Sequence, residues 1–426
     1  MQAKLERLPF GVGQLTPKYL TFVMGMLVLL AIGLLSYGRQ LSEGHIITGL
    51  RDIGSMGGAT WGLYIVFLIY FVGVSFAGIT IAAMIRLLDV HYLKPISRIA
   101  ELITVTALIL AGLCILPDLG QPLRGITNLF RYARPQSPFF GTFTLVVSGY
   151  FFASLVYLYL ASRPDAATCA QVPSRLQGLH RLWAAGYRGT PAEQHRRKVA
   201  SFWLAIAILP LLVTAHSTLG FVFGLQVGRP GWHSALQAPG FVVMAGVSGV
   251  GLVILVAALF RRLYGAETRL DDRIFRWLGN LLMVLVLAYL YFMVVEWLTG
   301  AYEGHQHELK LTKALLGGDF ASTYWLAVIC LVVPLAILFG QWVRNQFSLT
   351  QLVVAGALVN VAAIAKRYLL VVPSQTHGTL LPYGTGSYSP TSVEYAVVLG
   401  VIALGCLIFA IFVKVFPVID LTDGAE

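Results

Sequence analysis

Ten long apolar runs decide what this chain can fold into: 18–38, 59–88, 98–117, 138–162, 194–224, 236–262, 273–301, 321–343, 350–371 and 391–416. A helix needs about 20 apolar residues to cross the hydrocarbon core of a bilayer, whereas a barrel strand needs only about 9–11. Lipid offers backbone N–H and C=O groups no partner, so segments of this length are expected as helices. The chain reads as an all-α integral membrane protein. Residues 1–17 would form a cytoplasmic N-terminal segment, 18–416 the membrane domain and 417–426 a cytoplasmic tail. Composition excludes the alternatives: 57% of residues are apolar and only 12% charged, against about 45–50% and 25% in soluble domains. Disorder, coiled coil and a small disulfide scaffold are all incompatible with those figures. The N-terminus lacks the short apolar core and small-residue cleavage site of a signal peptide.

The net charge of +11 is not a nucleic-acid signature, because the cations sit between the apolar runs. Alternate connections hold 20 Lys and Arg on one side and 8 on the other, with Lys366 and Arg367 inside a run. The richer side takes the N-terminus, the 2–3, 4–5 and 6–7 connections, Arg344 and Lys414, which places both termini in the cytoplasm. Local signals support the helix starts. Thr190-Pro191-Ala192-Glu193 is a capping box with proline in the first turn, and Thr391 with Glu394 repeats the pattern. Thr268 with Asp271 and Ser348 with Gln351 open two more helices, and Trp61, Trp203, Trp277, Trp297, Trp325 and Trp342 lie near run ends as an interfacial belt. In the 4–5 connection, Ser174 caps an expected short helix with Leu176, Leu179, Leu182 and Trp183 on one face and Arg175, His180 and Arg181 elsewhere. That pattern suits a basic helix lying on anionic lipid, with docking to a cytoplasmic partner as the alternative.

Ionisable groups inside spans are costly, so each is a candidate for function. Asp118 ends the third span, His216 lies late in the fifth, Glu296 late in the seventh, Lys366 and Arg367 late in the ninth, and Glu394 opens the tenth. All fall in the outer half of the membrane. The set reads as a buried pocket near the outer face, with His233 and Tyr383 or Tyr388 at its rim. Each has a structural reading beside it. Asp118 can take a helix-ending turn, Glu394 a capping box, and Arg367 with Glu296 a buried ion pair; Lys366 can snorkel outward. Glu101 reads as a charge near a helix dipole or as the start of a proton path continued by Glu296 and Glu394. His305-Gln-His307-Glu308 reads as a solvated outer loop.

Cys114, Cys169, Cys330 and Cys406 are far apart, so no iron–sulfur or c-type haem motif exists. Haem b between helices asks for two buried histidines and a metal cluster for closely spaced ligands; the spans offer His216 alone. The chain is therefore expected to carry no haem, iron–sulfur cluster or other metal. An apolar pocket with one acid, one imidazole and one guanidinium suits a quinone, whose reduced form releases two protons on oxidation.

At these residues the sequence resembles the NrfD/PsrC family of membrane subunits, in the ten-helix branch of ActC/ActF of alternative complex III, QrcD, HmcC and DsrP. The matching stretches are Leu116-Pro-Asp-Leu-Gly-Gln-Pro-Leu-Arg124, Thr214-Ala-His-Ser-Thr-Leu-Gly-Phe-Val-Phe223, and Gly231-Trp-His-Ser with Pro239-Gly-Phe and Ala245-Gly-Val-Ser-Gly249. Ala365-Lys-Arg-Tyr-Leu-Leu-Val-Val-Pro-Ser374, Tyr388-Ser-Pro-Thr-Ser-Val-Glu394 and Lys414-Val-Phe-Pro417 complete them. The resemblance covers about residues 59–417. It implies two four-helix bundles, spans two to five and six to nine, flanked by spans one and ten. It also implies a bacterial cytoplasmic-membrane location and a menaquinone or ubiquinone site toward the periplasm. A periplasmic iron–sulfur subunit, and a multihaem cytochrome c or molybdopterin subunit, would be the redox partners. The family's polar site residues correspond to Asp118, His216, His233 and Arg367; Glu296 and Tyr383 are added from depth and chemistry. Some relatives carry an acid in the sixth span, and residues 240–260 here have none. The rival reading is a secondary transporter, which usually binds near the midplane between broken helices.

Overall fold

The computed structural model describes residues 8–50, 59–87, 90–132, 143–302, 306–377 and 386–419. Among them, ten helical segments are long and apolar enough to cross a membrane, as the hydropathy runs require. The first span is α1 (Pro17–Glu43); the second is split into α2 (Leu63–Val74) and α3 (Phe76–Leu87); the third is α4 (Lys94–Asp118). A short helix α5 (Pro122–Tyr132) precedes the fourth span, α6 (Phe143–Cys169), and α7 (Gln177–Ala184) precedes the fifth, α8 (Pro191–Gly224). Spans six and seven are α9 (Gln237–Tyr264) and α10 (Asp272–Tyr302). After α11 (Gln306–Gly317) come α12 (Ala321–Val343), α13 (Leu349–Val371) with its one-turn extension α14 (Pro373–Thr376), and finally α15 (Ser392–Val415). Both capping boxes form: Thr190 with Glu193 starts α8 and Thr391 with Glu394 starts α15. Ser348 caps α13, and Asp271, not Thr268, supplies the side-chain cap of α10.

Packing divides the spans into two closed rings. In the first, α2/α3 packs on α4, α4 on α6, α6 on α8, and α8 returns to α3. In the second, α9, α10, α12 and α13 close in the same way. The rings face each other through α2, α3 and α8 on one side and α9 and α13 on the other. Helices α1 and α15 pair outside the first ring, against α4. The two cross where Gly33 meets Gly400 backbone to backbone, the close approach that small residues permit between membrane helices.

The interruption of the second span at Ser75 was not expected from its unbroken hydropathy. Its cause is a side chain inserted into the backbone ladder. The Thr104 hydroxyl of α4 donates to Ser75 O (2.7 Å) and accepts from Gly78 N (2.9 Å), and the Tyr150 hydroxyl of α6 donates to the same Ser75 carbonyl (2.6 Å). A Cβ on Gly78 would lie 2.4 Å from Thr104 Oγ1 and 2.7 Å from Ala100 O. Gly78→Ala is therefore expected to destabilise the first ring by about 1–3 kcal/mol through overpacking. Thermal unfolding in detergent checks this, and an unchanged midpoint would mean that the crossing is looser than it looks.

At the end holding most of the Lys and Arg, two sequence readings need correction. Arg98 is buried in an ion pair with Asp165 and also donates to Pro417 O and Ala161 O. It clamps the chain after α15 and does not sit at the surface as a topology signal. On α7, His180 is buried against Val415 O (2.7 Å) and Trp183 Nε1 donates to Ser162 Oγ (2.9 Å), so this face docks on the protein. Leu182, 76% exposed, and Leu179 remain free to face lipid.

Candidate functional site

Successive residues on a helix point about 100° apart, and this separates Lys366 from Arg367 near the end of α13. Lys366 turns toward α10, where its Nζ lies 3.8 Å from Glu296 Oε2. Arg367 turns into the interface between the two rings and is 4% exposed. The expected Arg367–Glu296 ion pair is thus replaced by Lys366–Glu296, and Lys366 does not snorkel freely outward. The Arg367 guanidinium stacks on Phe241 of α9, 4.2 Å from the ring centroid, and its buried Nη2 has no hydrogen-bond acceptor among the described residues. A buried guanidinium with unmet N–H groups is expensive to keep.

An aromatic cluster surrounds that cation. Phe241 stacks with Phe223 of α8 (5.9 Å), Phe223 meets Trp232 edge-on (5.0 Å), and Trp232 stacks on Trp61 (6.0 Å). Trp232 Nε1 donates to Leu370 O at 2.6 Å. Gln375 ties the end of the ninth span to the start of the second: its Oε1 accepts from Thr60 N and Trp61 N, and its Nε2 donates to Trp61 O and Val371 O. Gln375, Phe241 and this use of Trp61 escaped the sequence reading, which weighed ionisable groups and assigned tryptophans to the interface. Gln375 follows the ninth apolar run, in Pro373-Ser374-Gln375-Thr376, and no charge marked it. A planar cation beside flat rings is a fitting surface for a flat, carbonyl-bearing ligand.

His216 of α8 is 1% exposed. Its Nδ1 lies 2.7 Å from Leu212 O in its own helix and its Nε2 2.9 Å from Val72 O, a carbonyl freed near the break in the second span. The Ser75 hydroxyl reaches the same Val72 oxygen (2.6 Å). Both neighbours of the imidazole are acceptors, so the neutral ring satisfies one of them and a doubly protonated ring satisfies both. His216 also lies within electrostatic reach of Arg367.

Asp118 and Glu394 belong to a second cluster, between the first ring and the α1–α15 pair. Glu394 is fully buried: Oε2 accepts from Gly49 N (2.7 Å) and Thr391 N (2.9 Å), and Oε1 accepts from the Tyr388 hydroxyl (2.6 Å). The Tyr388 oxygen accepts in turn from Leu63 N (2.7 Å), and a Cβ on Gly62 would sit 2.3 Å from it. Burial and the Glu394 carboxylate hold the Tyr388 phenol well above its ordinary range. Asp118 is close enough to Glu394 to feel its charge, and its buried Oδ1 has no hydrogen-bond partner among the described residues. Beside it, Gln40 donates to Pro117 O and accepts from the Tyr64 hydroxyl.

The candidate residues therefore do not all converge. His216 and Arg367 share the ring interface, whereas Asp118 and Glu394 form a separate cluster with Tyr388, which is buried there and not at a pocket rim. His233 is exposed, with Nδ1 3.2 Å from Gly224 O, beside the cluster that holds Trp232. Glu296 is half-buried on α10 and occupied with Lys366. Tyr383 lies outside the described residues, as do His305 and residues 1–7. The expected solvated loop around Glu308 is helix α11, and the Glu308 carboxylate accepts from Gly231 N (3.0 and 3.1 Å). Glu101 is 4% exposed beside Thr104, Ser154 and Tyr157, deep in the first ring and not at a helix end. Among the described residues, no group of three or more His, Cys, Asp or Glu is placed to hold a metal ion.

Ten spans, most of them in two facing rings with polar groups gathered between, define a polytopic all-α membrane protein. The chain belongs to the family "Polysulphide reductase, NrfD", whose model matches residues 52–378. It is 32% identical to a putative membrane subunit of the dimethyl sulfoxide reductase of Halobacterium salinarum, over 92% of this chain and 89% of the relative. It is 29% identical to a subunit of the selenate reductase of Mesobacillus selenatarsenatis, over 91% and 92% of the two chains. It is 27% identical to the integral membrane subunit of the Hdr-like menaquinol oxidoreductase of Archaeoglobus fulgidus, over 94% of each.

Proposed function

We propose that this chain is the quinone-interacting membrane subunit of an oxidoreductase complex, passing electrons between the membrane quinone pool and an iron–sulfur subunit docked on its outer face. The observation that carries the proposal is Arg367: a buried guanidinium on an aromatic face, with an N–H group lacking an acceptor among the described residues, at the interface of the two rings. A quinone carbonyl supplies the missing acceptor, and the flat ring finds Phe241 and the Trp61–Trp232 pair beside it. Quinol oxidation releases two protons with two electrons, and in this reading His216 takes one of them, the carbonyl acceptors at both ring nitrogens supporting the doubly protonated ring. The relatives' names, two of reductase subunits and one of a menaquinol oxidoreductase subunit, support the same class of chemistry.

Proton coupling uses the first ring. Glu101 lies beside Thr104, Thr104 donates to Ser75 O, and the Ser75 hydroxyl and His216 Nε2 meet on the Val72 carbonyl. Glu296 and Glu394 are engaged elsewhere and drop out of the path. Glu101→Gln is expected to leave quinol oxidation within about two-fold and to suppress proton uptake in proteoliposomes, since the conservative change removes only the exchangeable charge. Equal loss of both activities would contradict this division of roles. The break at Ser75 is also what favours an ion-translocating module without redox chemistry. Mass spectrometry of the tagged protein purified in mild detergent separates the readings. Co-purification of an iron–sulfur subunit with a cytochrome c or molybdopterin partner supports the redox proposal; a homo-oligomer alone favours the transporter.

A further inference from the structure

We propose that the cavity between the ends of α6 and α8, on the face rich in Lys and Arg, binds the phosphate headgroup of an anionic phospholipid. The cavity, of about 380 Å³, is lined by Arg163, Arg196 and Arg197 against the single carboxylate of Glu193. Glu193 is turned to the backbone, accepting from Arg188 N and Thr190 N in its capping box. Arg163 is held in place: Nε donates to Ala184 O, Nη2 donates to Ala185 O, and the guanidinium lies 5.4 Å from the Tyr187 ring centroid. That uses two of its five N–H donors. Arg197 Nε is buried and has no acceptor among the described residues. Three guanidinium groups with spare donors around one cavity ask for an anion with several acceptor oxygens, which is the chemistry of a phosphate.

What selects a lipid is the surface that continues from the cavity. Leu160 of α6 and Ala200 of α8 line it. Helical spacing carries the same faces on through Val156 and Phe152 on α6, and through Trp203 and Ala207 on α8. Phe152 is 68% exposed and Trp203 63%, so the arginines sit at the head of an apolar furrow that would lie at acyl-chain depth. A soluble phosphate compound has no use for that furrow, whereas a phospholipid fills both parts. Basic pockets between spans at such a face suit anionic headgroups.

The test is native mass spectrometry of the full-length chain, with whatever subunits accompany it, titrated with dioleoyl phosphatidylglycerol or dioleoyl phosphatidylcholine. Retained adducts of the glycerol lipid are expected, and Arg196→Gln with Arg197→Gln should weaken them about 30-fold, from roughly 1 kcal/mol for each arginine near a membrane surface. Should the double variant not survive purification, Arg196→Gln alone, at an exposed side chain, is expected to weaken them about five-fold. Equal retention of the choline lipid, no change in the variants, or displacement of the lipid by millimolar inorganic phosphate would each overturn the proposal; the last would show a small-anion site.

Discussion

Arg367→Ala is expected to lower quinol-linked turnover on the order of 100-fold, the upper end of what a hydrogen bond to a charged group contributes, while the complex still assembles. The two halves of that expectation are linked by the same physical fact. An arginine that holds a fold together leaves a buried partner uncompensated when removed and destabilises strongly. Arg367 has Nη2 without an acceptor among the described residues and its cation spread over Phe241, so its removal relieves a desolvation cost while forfeiting a cation–π contact and the electrostatic attraction of Glu296. The unfolding midpoint of the variant should stay level or rise as activity falls, the trade expected where stability is given up to keep a binding group in readiness. Arg367→Lys should recover little, because a point charge does not replace a planar fork stacked on a ring. Steady-state quinol oxidation and thermal unfolding on one preparation check both halves. Loss of activity with an equal loss of stability would assign Arg367 a structural role.

Glu394→Ala is the opposite case. The carboxylate gathers Gly49 N, Thr391 N and the Tyr388 hydroxyl at a fully buried position, and Tyr388 passes the connection on to Leu63 N at the start of α2. Deleting it strands one buried and two partly buried donors, at about 1–3 kcal/mol for a fully buried one, so a loss of a few kcal/mol and earlier proteolysis of the adjoining connections are expected. Glu394→Gln keeps most of the acceptors and should cost far less. The Tyr388 phenol adds a pH dependence. Burial and the adjacent carboxylate raise its folded pKa, so its contribution is fully present below the unfolded value of about 10 and is lost as pH climbs beyond it. Tyr388→Phe should remove that alkaline loss together with the hydrogen bonds; an unchanged alkaline limb would locate the titration elsewhere.

The spans were legible in the sequence because lipid leaves each apolar run a single solution, and the capping boxes of α8 and α15 were legible because their residue types suffice. The break at Ser75 was not, since it depends on Thr104 arriving from another helix. Position along a helix was readable for Asp118, His216, Arg367 and Glu394, but a like position on two helices is not proximity. Asp118 and Glu394 lie between the first ring and the α1–α15 pair, while His216 and Arg367 come from helices that meet across the two rings. Which of Lys366 and Arg367 meets Glu296 depends on the rotation of α13, which a mixed apolar run does not specify. Trp232 and Phe241 stood in the stretches that carry the family resemblance, but their stacking, like the bridging role of Gln375, was hidden because neutral amides and aromatic rings carry no charge to mark them.

The most direct test of the central claim is photolabelling with a short-chain azidoquinone, in the intact complex, followed by peptide mapping. Label competed away by unlabelled quinol is expected on the segments around Trp61, between His216 and Phe241, and between Arg367 and Gln375. Label confined to the lipid-facing surface, or insensitive to competing quinol, would contradict a quinone site at the interface of the two bundles.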